Sequence, residues 1–274
     1  MKKYSVLMSV YKNDKPEWVE IAVNSMLNQT VKPDEVVLIV DGEVSDDLNQ
    51  TIEKLSSENS VMKIYRNEHN LGLGLTLQKG IGLCKNDLVA RMDSDDYSEP
   101  NRIEIELKKM EDENLDLVGC KVKEFMDDID NVLSVKSVPV GEAQILKYAK
   151  QRNPFCHPSV LFNKNKVLEA GNYQDMKLCE DYYLWVRMLQ SGCKMDNCEQ
   201  SLVRMRVSKD LYARRGGRKY FKSQKQLFKY MKKTKFISGF TYFKILVTRY
   251  IVQVLMPNKL RQKFYEKQLR EKNK

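Results

Sequence analysis

Short runs of valine, isoleucine and leucine recur along the first half of the chain, and amphipathic stretches of helical period separate them. This alternation is typical of strands joined by crossover helices, which form a mostly parallel sheet with flanking helices. The sequence therefore predicts a doubly wound, Rossmann-like α/β domain, in which ligands bind beyond the carboxyl ends of the strands. Strands are predicted at residues 5–11, 35–41, 61–66, 88–93 and 117–122, and helices at residues 17–29, 46–58, 73–84 and 101–113.

The pattern becomes less regular after residue 140. Helices are predicted there at residues 142–151 and 180–191, and strands at 159–163 and 201–207. In the first helix, Pro16 occupies a start position, and Trp18, Ile21, Ala22 and Met26 share a face that we expect to be buried.

Charge is distributed unevenly along the chain. The formal net charge is +10, but residues 206–274 contain 21 basic and 3 acidic residues, so the first 205 residues carry a net charge of −8. This division predicts an acidic body that meets a polyanionic surface, either an anionic membrane or a nucleic acid, through its C-terminal segment. We expect one domain over residues 1–217 and a basic amphipathic helical tail over residues 218–274.

Composition excludes several classes of protein. With 42% hydrophobic and 31% charged residues, the chain is typical of a globular protein rather than a disordered or fibrous one. The six cysteines include no CxxC pair and only two histidines are present, so a structural zinc site is not expected. Residues 1–11 enter a strand pattern without a small-residue cleavage site, which predicts a cytoplasmic protein without a signal peptide.

Three carboxylates, Asp93, Asp95 and Asp96, directly follow the fourth predicted strand. Like charges so close together are costly unless a cation neutralises them, and oxygen ligands suit Mg²⁺ or Mn²⁺ bound to phosphate. The alternative is a solvated turn that precedes a helix.

Two further turns end predicted strands. Asp41 and Gly42 follow the second strand, where a carboxylate can accept hydrogen bonds from a base or a ribose. Asn70 and Gly72 follow the third, where glycine permits close approach of the backbone to a ligand. Both segments are equally consistent with simple turns.

An acidic pair, Glu180 and Asp181, opens a later amphipathic helix. Such residues commonly compensate the helix dipole, but a carboxylate at the mouth of a sugar pocket can also act as a general base.

Taken in order, these motifs resemble those of the inverting family 2 glycosyltransferases of the GT-A fold, specifically the bacterial enzymes that build capsular, exopolysaccharide or O-antigen repeat units. The resemblance covers about residues 4–217. The chain has Glu43 after Asp41 and Gly42, where many relatives have Asp-Asp-Gly-Ser. The motifs that carry the likeness are Ser5–Tyr11, Leu27–Thr30, Val40–Gly42, Asn70–Gly72, Ala90–Asp96, His157–Ser159, Glu180–Asp181 and Arg214–Gly217.

The resemblance implies a nucleotide-diphosphate sugar as donor, most often a UDP-sugar. Val10, Tyr11 and Asp41 would hold the uridine, and Asp93 would lie near the ribose or the metal. Asp95 would be the principal ligand of Mn²⁺ or Mg²⁺, with Asp93 as a second. The remaining donor-side residues implied by the resemblance are Asn70, Gly72, Lys79 and Ser94.

The resemblance also assigns the acceptor side of the reaction. Asp181 would be the catalytic base that takes the proton of the acceptor hydroxyl, and a single displacement at the anomeric carbon would invert its configuration. The acceptor side would be shaped by His157, Glu180, Arg214 and Arg215.

The segment at residues 236–256 is apolar and aromatic, but Lys244 and Arg249 interrupt it. These charges make a membrane-spanning helix costly and favour an interfacial helix on anionic lipid. We therefore expect a peripheral protein on the inner face of the plasma membrane, acting on a sugar carried by a polyprenyl diphosphate, with no nucleic-acid partner. The alternative is that this helix packs on the body of the protein.

Three other readings account for part of the sequence. A nucleotidyltransferase would share the sheet and the acidic metal site but would want a glycine-rich, arginine-bearing loop after the first strand. A phosphatase with an aspartate nucleophile would place its acidic motif on the first strand rather than the fourth. A non-catalytic module that binds membrane or nucleic acid explains only the tail.

Overall fold

The computed structural model describes residues 2–208, 216–258 and 260–261, and the backbone of residues 270–271. Strands and helices alternate through the first half of this part of the chain. The strands are β1 (Tyr4–Val10), β2 (Glu35–Asp41), β3 (Met62–Asn67), β4 (Leu88–Arg91), β5 (Tyr97–Ser98), β6 (Leu117–Phe125), β7 (Ser134–Lys136), β8 (Leu161–Asn163), β9 (Met195–Arg206) and β10 (Arg270–Glu271). The helices are α1 (Pro16–Leu27), α2 (Asp46–Glu58), α3 (Leu73–Leu83), α4 (Arg102–Asp112), α5 (Glu142–Ala149), α6 (Lys164–Glu169), α7 (Glu180–Gln190), α8 (Gly217–Lys233) and α9 (Gly239–Tyr250).

The first four strands form the parallel half of the sheet. Strand β1 lies between β2 and β4, and β3 pairs with the outer side of β2. Every residue of β2 is buried, as expected for a strand covered by helices on both faces. Val10, Asp41 and Arg91 end β1, β2 and β4, so the residues that follow these strands share one edge of the sheet.

The other half of the sheet is mixed. Strand β8 runs antiparallel to both β4 and β6, whereas β9 runs parallel to β6 with an irregularity around Lys121. The short strand β5 pairs with β9 at Tyr97 and Arg204, so the end of β9 returns to the segment after β4. With these additions the structure has the predicted α/β architecture of a sheet with flanking helices.

Apolar side chains form a core layer on each face of the sheet. One layer includes Val19, Ala22 and Met26 of α1, and the other includes Leu77 of α3 and Trp185 of α7. Helix α3 lies so close to the sheet that a Cβ added at Gly80 would lie 2.5 Å from Leu7 Cδ1.

The predicted face of α1 is confirmed at Ala22 and Met26, whereas Trp18 is only partly buried and Ile21 lies off the face. Ile21 is 40% exposed, while Val19, Ala22, Val23 and Met26 are buried with a spacing of three and four residues. This spacing describes one side of a helix, and Ile21 falls off it because it is only two residues from Val19 and Val23.

The C-terminal helices pack on α7. Leu227, Phe228 and Met231 of α8 are buried against Tyr182 and Val186 in a third apolar cluster. Helix α9 contributes Ile245 to this cluster and continues into a π-helical turn, Ile251–Leu255. Among the described residues, no helix combines the length and hydropathy needed to cross a bilayer.

Candidate active site

The acidic cluster, Asp93, Asp95 and Asp96, lies just beyond β4. One carboxylate oxygen from each residue falls within 4.8 Å of the others. Burial, reinforced by the charges of Asp93 and Asp14, raises the pKa of Asp95 to about 7. Burial and the neighbouring Asp95 likewise raise the pKa of Asp96. The cluster therefore holds more negative charge than its surroundings stabilise.

The donor set of this cluster fits a divalent cation. Asp96 is buried, its Oδ1 accepts the backbone N–H of Arg206 at 2.7 Å, and its Oδ2 has no hydrogen-bond partner. An unpartnered buried carboxylate oxygen among carboxylates suits Mg²⁺ or Mn²⁺, which prefer hard oxygen ligands. A solvated turn, the alternative that the sequence allowed, would leave no buried oxygen of this kind.

Asp14 adds a fourth carboxylate near the acidic cluster. Its Oδ2 accepts hydrogen bonds from Ser94 Oγ and from the backbone N–H of Tyr11, each at 2.9 Å. Burial raises the pKa of Asp14, and the charge of Asp93 adds to this effect. Ser94 therefore ties the acidic segment to the turn that follows β1.

Arg206, at the end of β9, clamps the acidic segment from the opposite side. Its Nε donates to the backbone oxygen of Asp95 at 3.1 Å, and its guanidinium lies 4.5 Å from the ring centres of Trp18 and Phe125. No motif in the sequence predicts this role for Arg206. The antiparallel pairing of β5 and β9 that brings it here cannot be read from a two-residue strand.

Asp41 organises the loop that follows β3. Its Oδ1 and Oδ2 accept the backbone N–H groups of Leu71 and Gly72 at 2.9 and 3.0 Å, and its backbone oxygen accepts Asn70 Nδ2 at 3.0 Å. Gly42 has φ +85°, and a Cβ there would lie 2.7 Å from the backbone nitrogen of Asn70. Only glycine therefore allows the two turns to meet.

Three other predicted donor-side residues lie on α3 and at the end of β1. Lys79 Nζ donates to Asn67 Oδ1 at 2.8 Å, and Asn67 Nδ2 donates to Asp41 Oδ1 at 2.9 Å. The side chain of Val10 is buried in the core, whereas Tyr11 is 41% exposed at the end of β1. The structure thus brings the predicted donor-side residues to one edge of the sheet.

The acid pair, Glu180 and Asp181, opens α7. Asp181 Oδ2 accepts Asn153 Nδ2 at 2.6 Å, and its Oδ1 accepts the backbone N–H of Tyr182 at 2.7 Å. Burial raises the pKa of Asp181, and both hydrogen bonds oppose this shift. Burial, followed by the charge of Asp181, raises the pKa of Glu180 to about 7. Such values suit groups that exchange protons near neutral pH.

The acid pair lies close to the donor side of the site. A Cβ added at Gly74, in the first turn of α3, would lie 3.2 Å from Glu180 Cβ. The start of α7 therefore touches the start of α3, directly after the loop that Asp41 holds.

His157 lies in a 3-10 turn before β8, next to aromatic side chains. Its Nε2 and the Tyr173 hydroxyl are 2.9 Å apart, and its ring centre is 6.1 Å from that of Trp185. Burial lowers the pKa of His157, and the charge of Arg91 lowers it further. The imidazole is therefore neutral at pH 7 and serves as a hydrogen-bonding group rather than a cation.

Arg91 connects the acidic cluster with the acid pair. Its side chain is 1% exposed, and its Nη2 donates to Asp93 Oδ1. Its charge also lowers the pKa of Glu180 and of Asp181, behind the larger effects of burial and hydrogen bonding. Arg91 Nε and Nη1 have no partner. In the sequence, Arg91 is conspicuous only as a charged residue inside an otherwise apolar strand, and no role was predicted for it.

Tyr173 gives a second link between the two acidic groups. Burial raises the pKa of its hydroxyl, Arg91 opposes the shift, and Asp181, Glu180 and Asp93 all reinforce it. Because the charges of the acid pair and of Asp93 all act on this one hydroxyl, the acid pair and the acidic cluster lie close to each other. The predicted acceptor residues Arg214 and Arg215 lie outside the described residues.

Comparison with known proteins identifies the family. The sequence profile of "Glycosyl transferase family 2" matches residues 5–171, more than half of the chain. The chain belongs to glycosyl transferase family 2. It is 38% identical over 269 residues to an Escherichia coli protein named UDP-Gal:alpha-D-GlcNAc-diphosphoundecaprenol beta-1,3-galactosyltransferase, covering 98% of this chain and 97% of that protein. It is also 38% identical over 269 residues to the amylovoran biosynthesis glycosyltransferase AmsE of Erwinia amylovora, covering 96% and 98% of the two chains.

Solved structures of GT-A glycosyltransferases share the fold of this family 2 chain. TarS 1–349 of S. aureus, solved in complex with UDP-GlcNAc, aligns with a TM-score of 0.66 at 14% identity, covering 97% of this chain and 76% of that one. The mannosyltransferase PcManGT of Pyrobaculum calidifontis, solved with GDP-Man and Mn²⁺, aligns with a TM-score of 0.64 at 13% identity, covering 94% and 71%. The protein is therefore a glycosyltransferase, and the names of its relatives assign those proteins to amylovoran and O-antigen biosynthesis.

Proposed function

We propose that this glycosyltransferase moves a hexose from a UDP-sugar to a saccharide carried on a polyprenyl diphosphate, in a metal-dependent reaction that inverts the anomeric carbon. One observation carries the proposal. The acidic cluster, which contains a buried oxygen without a hydrogen-bond partner, lies near the acid pair, whose pKa values are raised. The E. coli relative, whose name specifies a UDP-galactose donor and a diphosphoundecaprenol-linked acceptor, supports the substrate classes.

On the donor side, the nucleotide binds at the shared edge of β1, β2 and β3. Tyr11 and the backbone at Val10 flank the uridine, and Asp41 acts by fixing Asn70 and Gly72 for the nucleotide rather than by offering a free carboxylate. Lys79 supports the donor side through its hydrogen bond to Asn67, and Ser94 does so through its hydrogen bond to Asp14.

Asp93, Asp95 and Asp96 would hold the cation. Mn²⁺ or Mg²⁺ supplies charge neutralisation on the leaving diphosphate. Arg91 holds Asp93 in place through its buried guanidinium. Arg206 holds the backbone oxygen of Asp95 and the carboxylate of Asp96, so this segment is ordered before the donor binds.

On the acceptor side, Asp181 takes the proton of the attacking hydroxyl. That hydroxyl is far too weak an acid to ionise at neutral pH, so its proton must leave as the bond to the anomeric carbon forms. Asn153 fixes one oxygen of Asp181, and the raised pKa of Glu180 keeps a second proton-exchanging group beside it. His157, as a neutral imidazole, shapes the acceptor pocket together with Glu180, and Arg214 and Arg215 are proposed to contact the acceptor.

The test is a panel of UDP-, GDP- and dTDP-sugars incubated with the purified protein in the presence and absence of Mn²⁺. We expect hydrolysis or transfer with one UDP-hexose, lost when EDTA is added. Asp181→Asn is the matched control and should bind the same donor without turning it over. Turnover of a GDP- or dTDP-sugar alone, or turnover that EDTA leaves unchanged, contradicts the proposal.

A further inference from the structure

The C-terminal helices present an apolar surface that no other described residue covers. Residues of α9 and of the π-helical turn recur there every three or four positions, and all of them are exposed. Phe240 is 79% exposed, Phe243 67% and Leu255 61%. This exposed stripe consists of Phe240, Phe243, Val247, Ile251 and Leu255. Contiguous exposed apolar surface of this kind marks an interaction site.

The segment that forms α8, α9 and the exposed stripe carries charge of one sign. Residues 216–261 contain no aspartate or glutamate. Lys244 is exposed within α9, and α8 exposes a series of basic side chains. The exposed basic residues of α8 are Arg218, Lys219, Lys222, Lys225, Lys229, Lys232 and Lys233. Helices α8 and α9 touch where the Phe221 and Tyr250 rings lie 5.4 Å apart and Lys232 Nζ lies 5.3 Å from the Tyr242 ring.

We propose that the exposed stripe enters the headgroup region of an anionic bilayer and that this contact sets the acid pair at the height of the lipid-linked acceptor. Apolar side chains beside a basic surface are the combination that binds anionic membranes. This inference rests on the proposed function for the nature of the acceptor, but the membrane contact itself does not depend on it.

The contacts of the same helices explain how membrane binding reaches the site. Gln224 of α8 donates to Cys179 Sγ at 3.1 Å, and Cys179 immediately precedes the acid pair. Arg249 of α9 donates to the backbone oxygen of Gln151 at 2.6 Å, two residues before Asn153. Both segments that hold Asp181 are therefore attached to the helices that carry the exposed stripe.

The first test is flotation with vesicles of phosphatidylethanolamine and phosphatidylglycerol. We expect the double variant Phe240→Ser/Phe243→Ser to bind these vesicles at least about 10-fold more weakly, since one buried phenylalanine contributes about that factor. Ile21→Ser is the matched control. Ile21 is exposed on α1, which packs on the face of the sheet opposite to α7, so this variant should bind the vesicles as the unaltered protein does.

The second test separates membrane contact from catalysis. Transfer is measured with a long polyprenyl-diphosphate acceptor in vesicles and with a short-chain acceptor dissolved in water. We expect the double phenylalanine variant to lose activity about 10-fold or more on the vesicle acceptor and to keep full activity on the dissolved one. An equal loss on both acceptors would mean that the stripe supports the fold rather than the membrane contact, and would overturn the inference.

Two outcomes of the flotation experiment also overturn the inference. One is equal vesicle binding by the unaltered protein and the double variant. The other is binding to duplex DNA or RNA without binding to vesicles. If the unaltered protein transfers sugar to neither acceptor, the proposed function fails while the flotation result still decides the membrane contact.

Discussion

The acidic cluster and the acid pair are both made of neighbouring carboxylates, and each includes groups of raised pKa, yet their surroundings differ. In the acidic cluster, a buried oxygen of Asp96 has no partner, and Asp14 adds further negative charge nearby. In the acid pair, both oxygens of Asp181 accept short hydrogen bonds. In the proposed reaction, a cation from outside the chain would complete the first arrangement, whereas the second is completed by the protein's own hydrogen bonds and would exchange a proton. Burial alone therefore does not define the role of a carboxylate; its partners do.

The largest effect is expected from Asp181→Asn. The amide matches the carboxylate in shape but cannot take a proton, so transfer should fall by about 10²–10⁴-fold. Binding of UDP-sugar with Mn²⁺, measured by calorimetry, should be unchanged because Asp181 lies outside the acidic cluster. Loss of donor binding would contradict the proposal that the acidic cluster serves donor binding and the acid pair serves proton transfer.

Asp95→Asn should remove transfer and, unlike Asp181→Asn, the stabilisation that Mn²⁺ gives. The raised pKa of Asp95, about 7 against an ordinary 3.8, means that this group lowers the free energy of unfolding as pH rises through that interval. Without metal at pH 8, the variant should therefore melt higher, by about 2–4 °C for each 1 kcal/mol recovered. A lower melting temperature in EDTA would contradict the account of the acidic cluster.

Asn153→Ala should act on the acid pair alone. The lost hydrogen bond favours the ionised form of Asp181, so its removal raises the pKa of this carboxyl. The base must be ionised to work, so the rising limb of kcat/KM against pH should move to higher pH, and activity on that limb should fall by about 5-fold, as expected for a hydrogen bond that contributes about 1 kcal/mol. Asn165→Ala, at an exposed asparagine, is the control, and an unmoved limb would assign Asn153 a purely structural role.

The smallest effect is expected from Ser94→Ala. The variant loses the hydrogen bond to Asp14, which contributes about 1 kcal/mol, so Mn²⁺ should bind about 5-fold more weakly. The rising limb of kcat/KM against pH, which reports the ionisation of Asp181, should not move. A shift of that limb would mean that the two acidic groups are coupled more tightly than their separate partners indicate.

Local sequence patterns were enough to predict much of the first half of the fold. Helix α2 and strand β2 have the predicted bounds, Asp46–Glu58 and Glu35–Asp41, because an N-cap serine and a continuous apolar run define them locally. Strands β5 and β7 and helix α6 were not predicted. The first two have only two or three residues each, and pairing with distant strands rather than local preference creates them.

The candidate site shows the same division between local and distant determinants. Asp93, Asp95 and the acid pair could be chosen from the sequence because several carboxylates in a few positions are conspicuous. Asn153, Arg91 and Arg206 could not, since each acts through a contact that depends on the tertiary fold. The two roles given to Asp41 also differ: the resemblance implied a uridine contact, and the structure engages both of its oxygens with the loop after β3.

The packing of α8 on α7 has a practical consequence for anyone who shortens this protein. A fragment that ends before Gly217 would leave Tyr182 and Val186 open to water on the helix that begins with the acid pair. We expect such a fragment to aggregate or to misplace Asp181, the proposed base, even though all residues of the proposed donor side are still present. A version suited to detergent-free purification is better sought by polar substitution at Phe240 and Phe243 than by truncation.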